Sequence, residues 1–542
     1  MFVQATKSKR GNKTYVSYLV REAFRTPAGP RSRTVCNITA LPPDVRALLT
    51  ASLAGKPCVP LEGLELSSAL NYGGLAVLRD AWARFGLEKV LAALPDARSR
   101  ALVQAMIFGR VLSPCSKRAL ADEAQGTLLA AACGLDPASE AFDEDDLYEA
   151  MDALNGRWVP LEQALYAEAF PASVSLVLYD LTSVYFEGKG PQGLSGYGYS
   201  RDHRGDRPQV LLAVATDADG VPLHVEVLRG NRADTETLRG LLHTLQRRFG
   251  IRQAVFVFDG GMSSRLNLEA LRADDLPFVT RLSAASLPAV LAALPQEAQP
   301  LLWDRTHLVE VTLEGKRYVI AGGEERQHRD QARREARLQK AEAELTRLAA
   351  VPRKRVDPQK LASQAGRALQ RLKAHQYFDY RVDEQGRLCW QPRQALLDAE
   401  QSRDGFYLLH TGLTPVQGTK GEVLKHYKNL MTVEAAFCHL KTYLEVRPVY
   451  HFRPDRVRNH VRLCFLAYWL CARLGQEWRA QGQTVDVPRL LRRLQSIRVG
   501  TVTLAGQAAC RLLTQIPADL NAVLEQLGLL PLFAQPPRWA HV

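Results

Sequence analysis

The apolar positions of the chain change their spacing several times, and each change predicts a different kind of element. Between residues 13 and 40, two runs rich in β-forming residues flank a turn sequence, in the order "KTYVSYLV", "TPAGP" and "SRTVCNIT". This pattern predicts a β-hairpin. From residue 42 to residue 172 the apolar positions recur at helical spacing, as in "RALVQAMIFGRVL". We therefore expect a basic hairpin arm over residues 1–41 and a mainly helical region over residues 42–172.

At residue 173 the pattern changes to short, strongly apolar runs. "SVSLVLYDLTSVYFEG" predicts a strand, and "QVLLAVATDADGVPLHVEVLRG" predicts two strands around a "DADG" turn. A helix, the buried strand "QAVFVFD", a second helix and the strand "PFVTRL" follow. Three hairpin-linked strands followed by alternating helices and strands predict an α/β domain with a mixed sheet and helices on its faces.

Residues 287–420 interrupt this rhythm with short strands and a long charged helical hairpin, which indicates an insertion. The main domain is expected to resume over residues 421–475, so that it consists of 173–286 and 421–475. Residues 476–542 are expected to form a C-terminal helical region with one strand candidate, "VGTVTL".

Two aspartates stand where carboxylates are unusual. Asp180 lies in the middle of an apolar strand, and Asp259 directly follows the buried strand "AVFVF". An edge strand whose Asp180 points to solvent and a plain "DGG" turn at Asp259 are the alternative interpretations. In a mixed sheet of this order, however, the two strands can be neighbours, and both side chains can then face one cleft.

A later helix, within "YKNLMTVEAAFCHLKTYLEVRPVYH", offers a third carboxylate. Tyr427, Glu434 and Lys441 are spaced seven residues apart, which places Glu434 and Lys441 on one stripe of a helix. Spacing alone also fits a solvated Glu/Lys pair on a helix edge. Three converging carboxylates would require divalent cations, and hard oxygen ligands suit two Mg²⁺ or Mn²⁺ ions acting on a phosphodiester.

The overall composition is compatible with this chemistry. The formal net charge is +13, which favours an anionic partner such as nucleic acid, although a generally basic proteome is the alternative. The nine cysteines form no C-x-x-C pair, which indicates a reducing compartment. No secretory signal is recognised, and "VRLCFLAYWLCARL" is too short to span a membrane, so we expect a cytoplasmic protein without a membrane partner.

Several blocks together resemble the DDE transposases of bacterial insertion sequences. "VLYDLTSVYFEG" is similar to the first catalytic block of that class and "FVFDGGMSSRLNLEAL" to the second. "YKNLMTVEAAFCHLK" resembles the Tyr/Arg/Glu/Lys signature, with Leu430 where Arg is usual, and the following "LEVRPVYH" is also typical. Many relatives carry Arg where this chain has Gly260.

The resemblance implies a ribonuclease H-like catalytic domain in which Asp180, Asp259 and Glu434 are catalytic and bind two Mg²⁺ ions. The implied reaction is hydrolysis of a phosphodiester at the end of a mobile element, followed by strand transfer of the freed 3′-hydroxyl into target DNA. Tyr427 and Lys441 would contact the cleaved strand, and the enzyme would act as a homodimer on paired ends in the bacterial nucleoid.

Other DNA contacts remain open at this stage. His203 and Arg204, in the loop after the first strand, are candidates, and a solvated loop is the alternative. The basic hairpin arm of residues 1–41 and the helical region 42–172 are both candidates for reading the element ends. The helical hairpin of the insertion, with "RKR" at 353–355, is a candidate for DNA contact, with a solvated coiled-coil arm as the alternative, and residues 476–542 are a candidate for oligomerisation. A non-catalytic DNA-binding protein of transposase descent and a nuclease on the same fold are the alternative functions.

Overall fold

A computed structural model describes the chain except for residues 11–12, 28, 57–63, 295–307, 351–356, 505–506 and 540–542. The "RKR" stretch at 353–355 lies outside the described residues. The strands are β1 Phe2–Arg10, β2 Lys13–Thr26, β3 Gly29–Asn37, β4 Leu64–Asn71, β5 Leu176–Tyr185, β6 Gln209–Thr216, β7 Pro222–Arg229, β8 Val255–Phe258, β9 Phe278–Arg281, β10 Val309–Leu313, β11 Lys316–Ala321, β12 Phe378–Val382, β13 Leu388–Pro392, β14 Tyr407–Thr411, β15 Arg498–Leu504 and β16 Gln507–Leu513.

Helices account for most of the remaining described residues. They are α1 Pro43–Leu53, α2 Gly73–Arg84, α3 Leu87–Val90, α4 Ala97–Leu112, α5 Lys117–Ala124, α6 Leu129–Ala132, α7 Glu144–Asp152, α8 Trp158–Ala169, α9 Leu238–Phe249, α10 Arg265–Ala273, α11 Leu287–Ala292, α12 Glu324–Ala350, α13 Pro358–Arg371, α14 Gln394–Gln401, α15 Lys420–Lys428, α16 Leu430–Cys438, α17 Pro454–Ala480, α18 Val487–Leu494 and α19 Ala518–Gln526.

The chain divides into two compact units. The first comprises residues 1–70 and 498–515, and the second comprises residues 71–497 and 516–542. In the first unit, β2 and β3 form the predicted hairpin, and β1 adds a third antiparallel strand. The predicted "VGTVTL" strand is β15, which pairs with β16 and also with β4. Strand β4 lies within the range that helical spacing predicted to be helical, and its pairing partner is more than 400 residues away in sequence.

The second unit is built around an eight-stranded sheet with the strand order β10-β11-β14-β9-β8-β5-β6-β7. Strands β5, β6 and β7 are antiparallel neighbours, and β8 and β9 run parallel to β5. This arrangement is the ribonuclease H-like mixed sheet that the resemblance implied. Helices α9 and α10 connect the later strands in the predicted order, and their apolar side chains share one core with the sheet.

The insertion extends this sheet and also forms a core of its own. Strands β10, β11 and β14 continue the sheet beyond β9 through antiparallel pairing. The predicted helical hairpin is formed by α12 and α13, which pack with the β12–β13 hairpin around buried leucines and alanines such as Leu345, Leu361 and Ala365. The insertion therefore contributes both to the eight-stranded sheet and to a separate helical layer.

Helix α17 contains the apolar run "VRLCFLAYWLCARL", and nearly all of its side chains are buried. It packs against β7 of the sheet and against the N-terminal helices α4 and α7. Among the described helices, none is both long and apolar enough to cross a lipid bilayer. All described cysteines are free.

A buried carboxylate joins the helical region to the sheet. Glu162 of α8 is fully buried, and its Oε1 lies 2.9 Å from Nδ1 of His224 on the edge strand β7. Its other oxygen accepts a hydrogen bond from Arg248 at the end of α9. Burial by itself would raise the pKa of Glu162, but His224 and Arg248 reverse this and hold the pKa below the ordinary 4.5.

We predict that Glu162→Gln lowers the free energy of unfolding by about 3 kcal/mol, because Arg248 and His224 would lose their buried charge partner. Urea denaturation measures the change, and Glu168→Gln, an exposed position on the same helix, is the matched control. The folded-state pKa is lowered, so the contribution is present above pH 4.5 and is lost as the pH falls through the folded-state value. Equal stability of the two variants at pH 7 would contradict this account.

Candidate functional site

The parallel pairing of β5 and β8 brings Asp180 and Asp259 to the same place. Tyr179 pairs with Phe258, so the next residue of each chain segment is one of the two aspartates. Because β5 lies in the interior of the sheet, between β8 and β6, the edge-strand interpretation of Asp180 is wrong. Asp180 is half-buried, whereas Asp259, just beyond its strand, is exposed.

The alternation of side chains along β5 decides which face Asp180 occupies. Val177, Tyr179 and Leu181 belong to the core shared with α9 and α10. Asp180 therefore projects from the opposite face, on which α16 packs against β5. Glu434 lies on α16 and is exposed. The fold thus brings the three acids that the sequence analysis selected into one neighbourhood.

The charges of the other two acids act on Asp180. The pKa of Asp180 is raised to about 7, chiefly by burial, and the charges of Asp259 and Glu434 contribute to the rise. The N–H of Leu181, which donates to Oδ1 of Asp180 at 2.7 Å, and the guanidinium of Arg201 oppose the rise. A carboxylate in this position is therefore destabilised in its charged form, and a nearby cation would relieve it.

The chemistry of the donor set fits a hard divalent cation, because it consists of three carboxylates, two of which raise the pKa of the third. In the described part of the chain, however, no group of three or more His, Cys, Asp and Glu side chains has an arrangement that could hold a metal ion. Asp259 and Glu434 are exposed, so their carboxylates can change rotamer at little packing cost.

Tyr427 lies in a different helix from Glu434. It belongs to α15, which a capping box at Thr419 and Glu422 begins, and α16 begins after Asn429. Burial raises the pKa of the Tyr427 hydroxyl, and the nearby charge of Asp259 adds to this. Tyr427 therefore borders the acids from the β9 side of the site.

Two arginines around Tyr427 were not selected from the sequence. Arg281, at the end of β9, is a side-chain hydrogen-bond partner of Tyr427. Arg326, near the start of α12, has its guanidinium 5.0 Å from the ring of Tyr407, and that ring lies 6.0 Å from the ring of Tyr427. Only the fold brings the insertion to this point, so periodicity could not have found Arg326.

Lys441 lies in a π-helical turn, His439–Tyr443, that ends the helix carrying Glu434. Its Nζ is 2.8 Å from Oδ1 of Asp202, and Arg447 lies 3.3 Å from Oδ2 of the same carboxylate. Lys441 and Asp202 are both largely buried, with 10% and 8% of their side-chain surfaces exposed. Burial lowers the pKa of Lys441, and the Asp202 carboxylate opposes this shift. The predicted Lys441 side chain is thus held by an acid that the sequence analysis did not select.

The loop between β5 and β6 carries the remaining candidates. Arg201 donates its backbone N–H to the Ser183 hydroxyl at 2.9 Å, which folds the loop back onto β5. His203 is exposed and has a left-handed backbone with φ +57°. Arg204 binds Asp206 through two hydrogen bonds of 2.8 and 2.9 Å. Arg201 and Asp202 lie in the segment "GYGYSRDHRGDRPQV", directly before His203 and Arg204. This proximity to the two selected residues is the sequence signal that could have identified them.

The two departures from the family signature have different structural settings. Leu430 is buried with 6% of its surface exposed, so this position is used for packing at the start of α16. Gly260 directly follows Asp259, and a Cβ atom on it would lie 2.6 Å from the carbonyl oxygen of Arg281. A side chain at Gly260 therefore requires the backbone around Asp259 or Arg281 to shift.

We predict that Gly260→Ala lowers the free energy of unfolding by about 1–3 kcal/mol, because its methyl group would overlap a backbone oxygen. Gly261→Ala is the matched control, since the nearest atom to its Cβ, Oδ2 of Asp234, lies at an ordinary 3.5 Å. Thermal denaturation of both variants measures the difference. A Gly260→Ala protein as stable as the Gly261→Ala protein would show that the close approach is absent.

Comparison with known proteins identifies the class of this domain. The family described as "Transposase DDE domain" matches residues 174–470, more than half of the chain, and this range contains all three acids. No curated protein matches the sequence of the chain. Among solved structures, the chain is similar to one described as "Cryo-EM structure of piggyBac transposase synaptic complex with hairpin DNA (SNHP)", with 8% identity and a TM-score of 0.37 over 79% of this chain and 82% of that chain.

Proposed function

The chain belongs to the DDE transposase family, and we propose that it is the DNA transposase of an insertion sequence, with Asp180, Asp259 and Glu434 as its catalytic residues. The observation that carries the proposal is the convergence of these three acids at the β5–β8 pair, within the range that matches the family. The proposed reaction is hydrolysis at the element end, followed by strand transfer of the 3′-hydroxyl into target DNA.

The family generally uses divalent metal ions, and the same three carboxylates would hold two Mg²⁺ or Mn²⁺ ions. When bound, such ions supply Lewis-acid activation of the attacking oxygen and charge stabilisation of the leaving oxygen. The chain itself supplies the three carboxylates. The sheet fixes the position of Asp180, whereas the exposed side chains of Asp259 and Glu434 can change rotamer. Arg201 borders Asp180 and would compensate part of its negative charge.

The side chains beside the acids are suited to hold a DNA strand. The raised pKa of Tyr427 keeps its hydroxyl protonated, so that it can donate a hydrogen bond to a phosphate oxygen. Lys441 is oriented by Asp202, next to the helix that carries Glu434, and we propose that it meets a phosphate of the cleaved strand. His203 is exposed in the adjoining loop, and Arg204 could exchange Asp206 for a phosphate.

The proposed partner is double-stranded DNA, which the net charge of +13 favours. We propose that the enzyme acts as a homodimer on paired element ends in the nucleoid of a bacterial cytoplasm. The basic sheet of residues 1–41 and the helical region 42–172 are proposed to read the ends, and residues 476–542 to assist oligomerisation. The hairpin of α12 and α13 is a further candidate for end recognition.

We predict that Asp180→Asn, Asp259→Asn and Glu434→Gln each abolish Mg²⁺-dependent cleavage, because each removes one of the carboxylate charges needed for cation binding. The substrate is a labelled duplex that contains the genomic flank of the gene. Glu269→Gln is the control, since this carboxylate is exposed and paired with Arg265 on α10. Cleavage retained by all three variants would contradict the assignment, whereas tight binding without cleavage by the unmodified protein would favour a non-catalytic DNA-binding role.

A second prediction separates a transposase from a nuclease on the same fold. A duplex precut to expose the 3′-hydroxyl of the element end should join to a supercoiled plasmid in Mg²⁺, because in-line transesterification needs no external energy source. Gel analysis of labelled plasmid measures joining, and Glu434→Gln should show none. Cleavage of uncut DNA together with no joining of precut DNA would identify a nuclease.

A further inference from the structure

A cleft of about 230 Å³ lies in the second unit, between the N-terminal helices and the segment that follows Lys441. Its lining includes Arg110 at the end of α4, Lys117 at the start of α5, and Arg447 and Tyr450 from the later segment. Among the described residues of the lining, Glu445 is the single carboxylate, and it is exposed. The cleft is therefore lined by an excess of cations.

Lys117 is the most unusual of these cations. Only 7% of its surface is exposed, and within the described chain its ammonium group has neither a hydrogen-bond acceptor nor a carboxylate partner. Burial and the nearby charge of Arg110 lower the pKa of Lys117 to about 8. An unpaired buried ammonium is costly, so such a residue is rare without a ligand that compensates its charge.

The surroundings of Lys117 favour an anion as that ligand. Arg110 donates a hydrogen bond to the backbone oxygen of Cys115 at 3.1 Å but has no carboxylate partner among the described residues. Lys117 is the first residue of α5, whose N-terminus Ser116 caps, and backbone N–H groups at a helix N-terminus favour negative charge. The cleft thus combines two unpaired cations with a helix N-terminus.

The cleft also adjoins the residues that hold Lys441 beside the proposed catalytic site. Arg447 lines it and is at the same time 3.3 Å from Asp202, the partner of Lys441. The backbone N–H of Val449 donates to the carbonyl of Tyr185 at 3.0 Å, so the lining segment runs beside the end of β5. Tyr185 lies five residue steps along β5 from Asp180, which corresponds to about 17 Å, or about five nucleotide steps of one DNA strand.

An exposed aromatic ring stands at the opening of this cleft. Tyr450 is 65% exposed and lines the cleft together with the cations. Aromatic rings beside cationic grooves are the usual platforms for nucleic-acid bases. This ring favours a nucleic-acid strand over a small free anion as the occupant.

We infer that this cleft binds a backbone phosphate of the DNA strand that leaves the proposed catalytic site, with Arg110 and Lys117 as its ligands and Tyr450 as a base platform. The inference rests on the proposed function, because the strand must lie across the acids to reach the cleft. It assigns to the helical region a contact with DNA close to the chemistry, in addition to any reading of element ends.

The test compares Lys117→Met with Lys89→Met, a lysine that is exposed on α3 of the same helical region and does not line the cleft. Fluorescence anisotropy with a labelled duplex of random sequence is recorded at several salt concentrations. We expect Lys117→Met to weaken binding and to reduce the slope of log K against log salt by about 0.9, the value for one lost phosphate contact. Lys89→Met should leave the slope unchanged.

A second measurement uses inorganic phosphate and thermal denaturation. Phosphate should raise the Tm of the unmodified protein above its value in chloride of equal ionic strength, and Lys117→Met should lose this increment. Without phosphate, Lys117→Met should be at least as stable as the unmodified protein, because an unpaired buried charge is removed. Arg110→Met provides the same comparison if the first variant does not fold.

The outcomes separate the cleft from the proposed function. An unchanged salt slope in Lys117→Met and Arg110→Met, with normal DNA binding by the unmodified protein, overturns the inference alone. A phosphate effect that depends on Lys117 without any change in the DNA slope also overturns it, because the cleft would then be a site for a free phosphate compound. Absence of DNA binding by the unmodified protein contradicts the proposed function itself.

Discussion

The parallel pairing of β5 with β8 is the interaction on which the site depends. Its register sets Tyr179 opposite Phe258. The aspartates that follow these two residues therefore lie side by side, where β8 ends. A shift by a single residue would turn Asp180 into the core shared with α9 and α10, because successive side chains alternate between faces. The apolar residues that flank Asp180 on β5 hold the register, since their burial is possible in only one alignment.

Around this strand pair, charged side chains form two different arrangements. Burial and the acids near Asp180 raise its pKa, and Arg201 opposes the rise. A short distance away, Asp202 holds both Lys441 and Arg447 and so joins the helix of Glu434 to the loop after β5. Because these contacts are largely buried, they position Lys441 without depending on solvent-exposed ion pairs, which contribute little.

The sequence was sufficient to predict the mixed sheet and the order of its first five strands along the chain, and it selected three acids whose catalytic role stays a prediction. These features depend on local patterns: apolar runs, turn residues and a carboxylate at an unexpected place in a strand. Leu430, noted as a departure from the family signature, is a buried packing residue at the start of α16.

Other parts of the fold depend on contacts between distant segments, which no local pattern encodes. The pairing of β4 with β15 joins residues more than 400 positions apart. The continuation of the sheet by β10, β11 and β14 likewise required the insertion to return to β9. Such contacts also determine which charged residues lie at the site, namely Asp202, Arg281 and Arg326. In sequence these residues are not distinctive, because a charged residue in a loop or at a strand end is ordinarily solvated. The sequence around Lys117 is that of an amphipathic helix with the lysine on its surface. Only the structure shows that this lysine is buried.

The free protein contains two kinds of uncompensated charge, which a DNA strand together with divalent cations would relieve. The acids at the end of β8 and on α16 both raise the pKa of Asp180. Near the far end of β5, Arg110 and Lys117 have no carboxylate partner among the described residues. A strand that passed between these places would bring phosphates to the cations, and divalent ions held by the carboxylates would neutralise the acids. Unpaired buried charge at either place is costly in the free protein, and under the proposed function both places would contribute to binding of the same strand. Binding energy from the cleft would then position the strand at the acids. Remote contacts accelerate a reaction when they hold the reacting groups in place in this way.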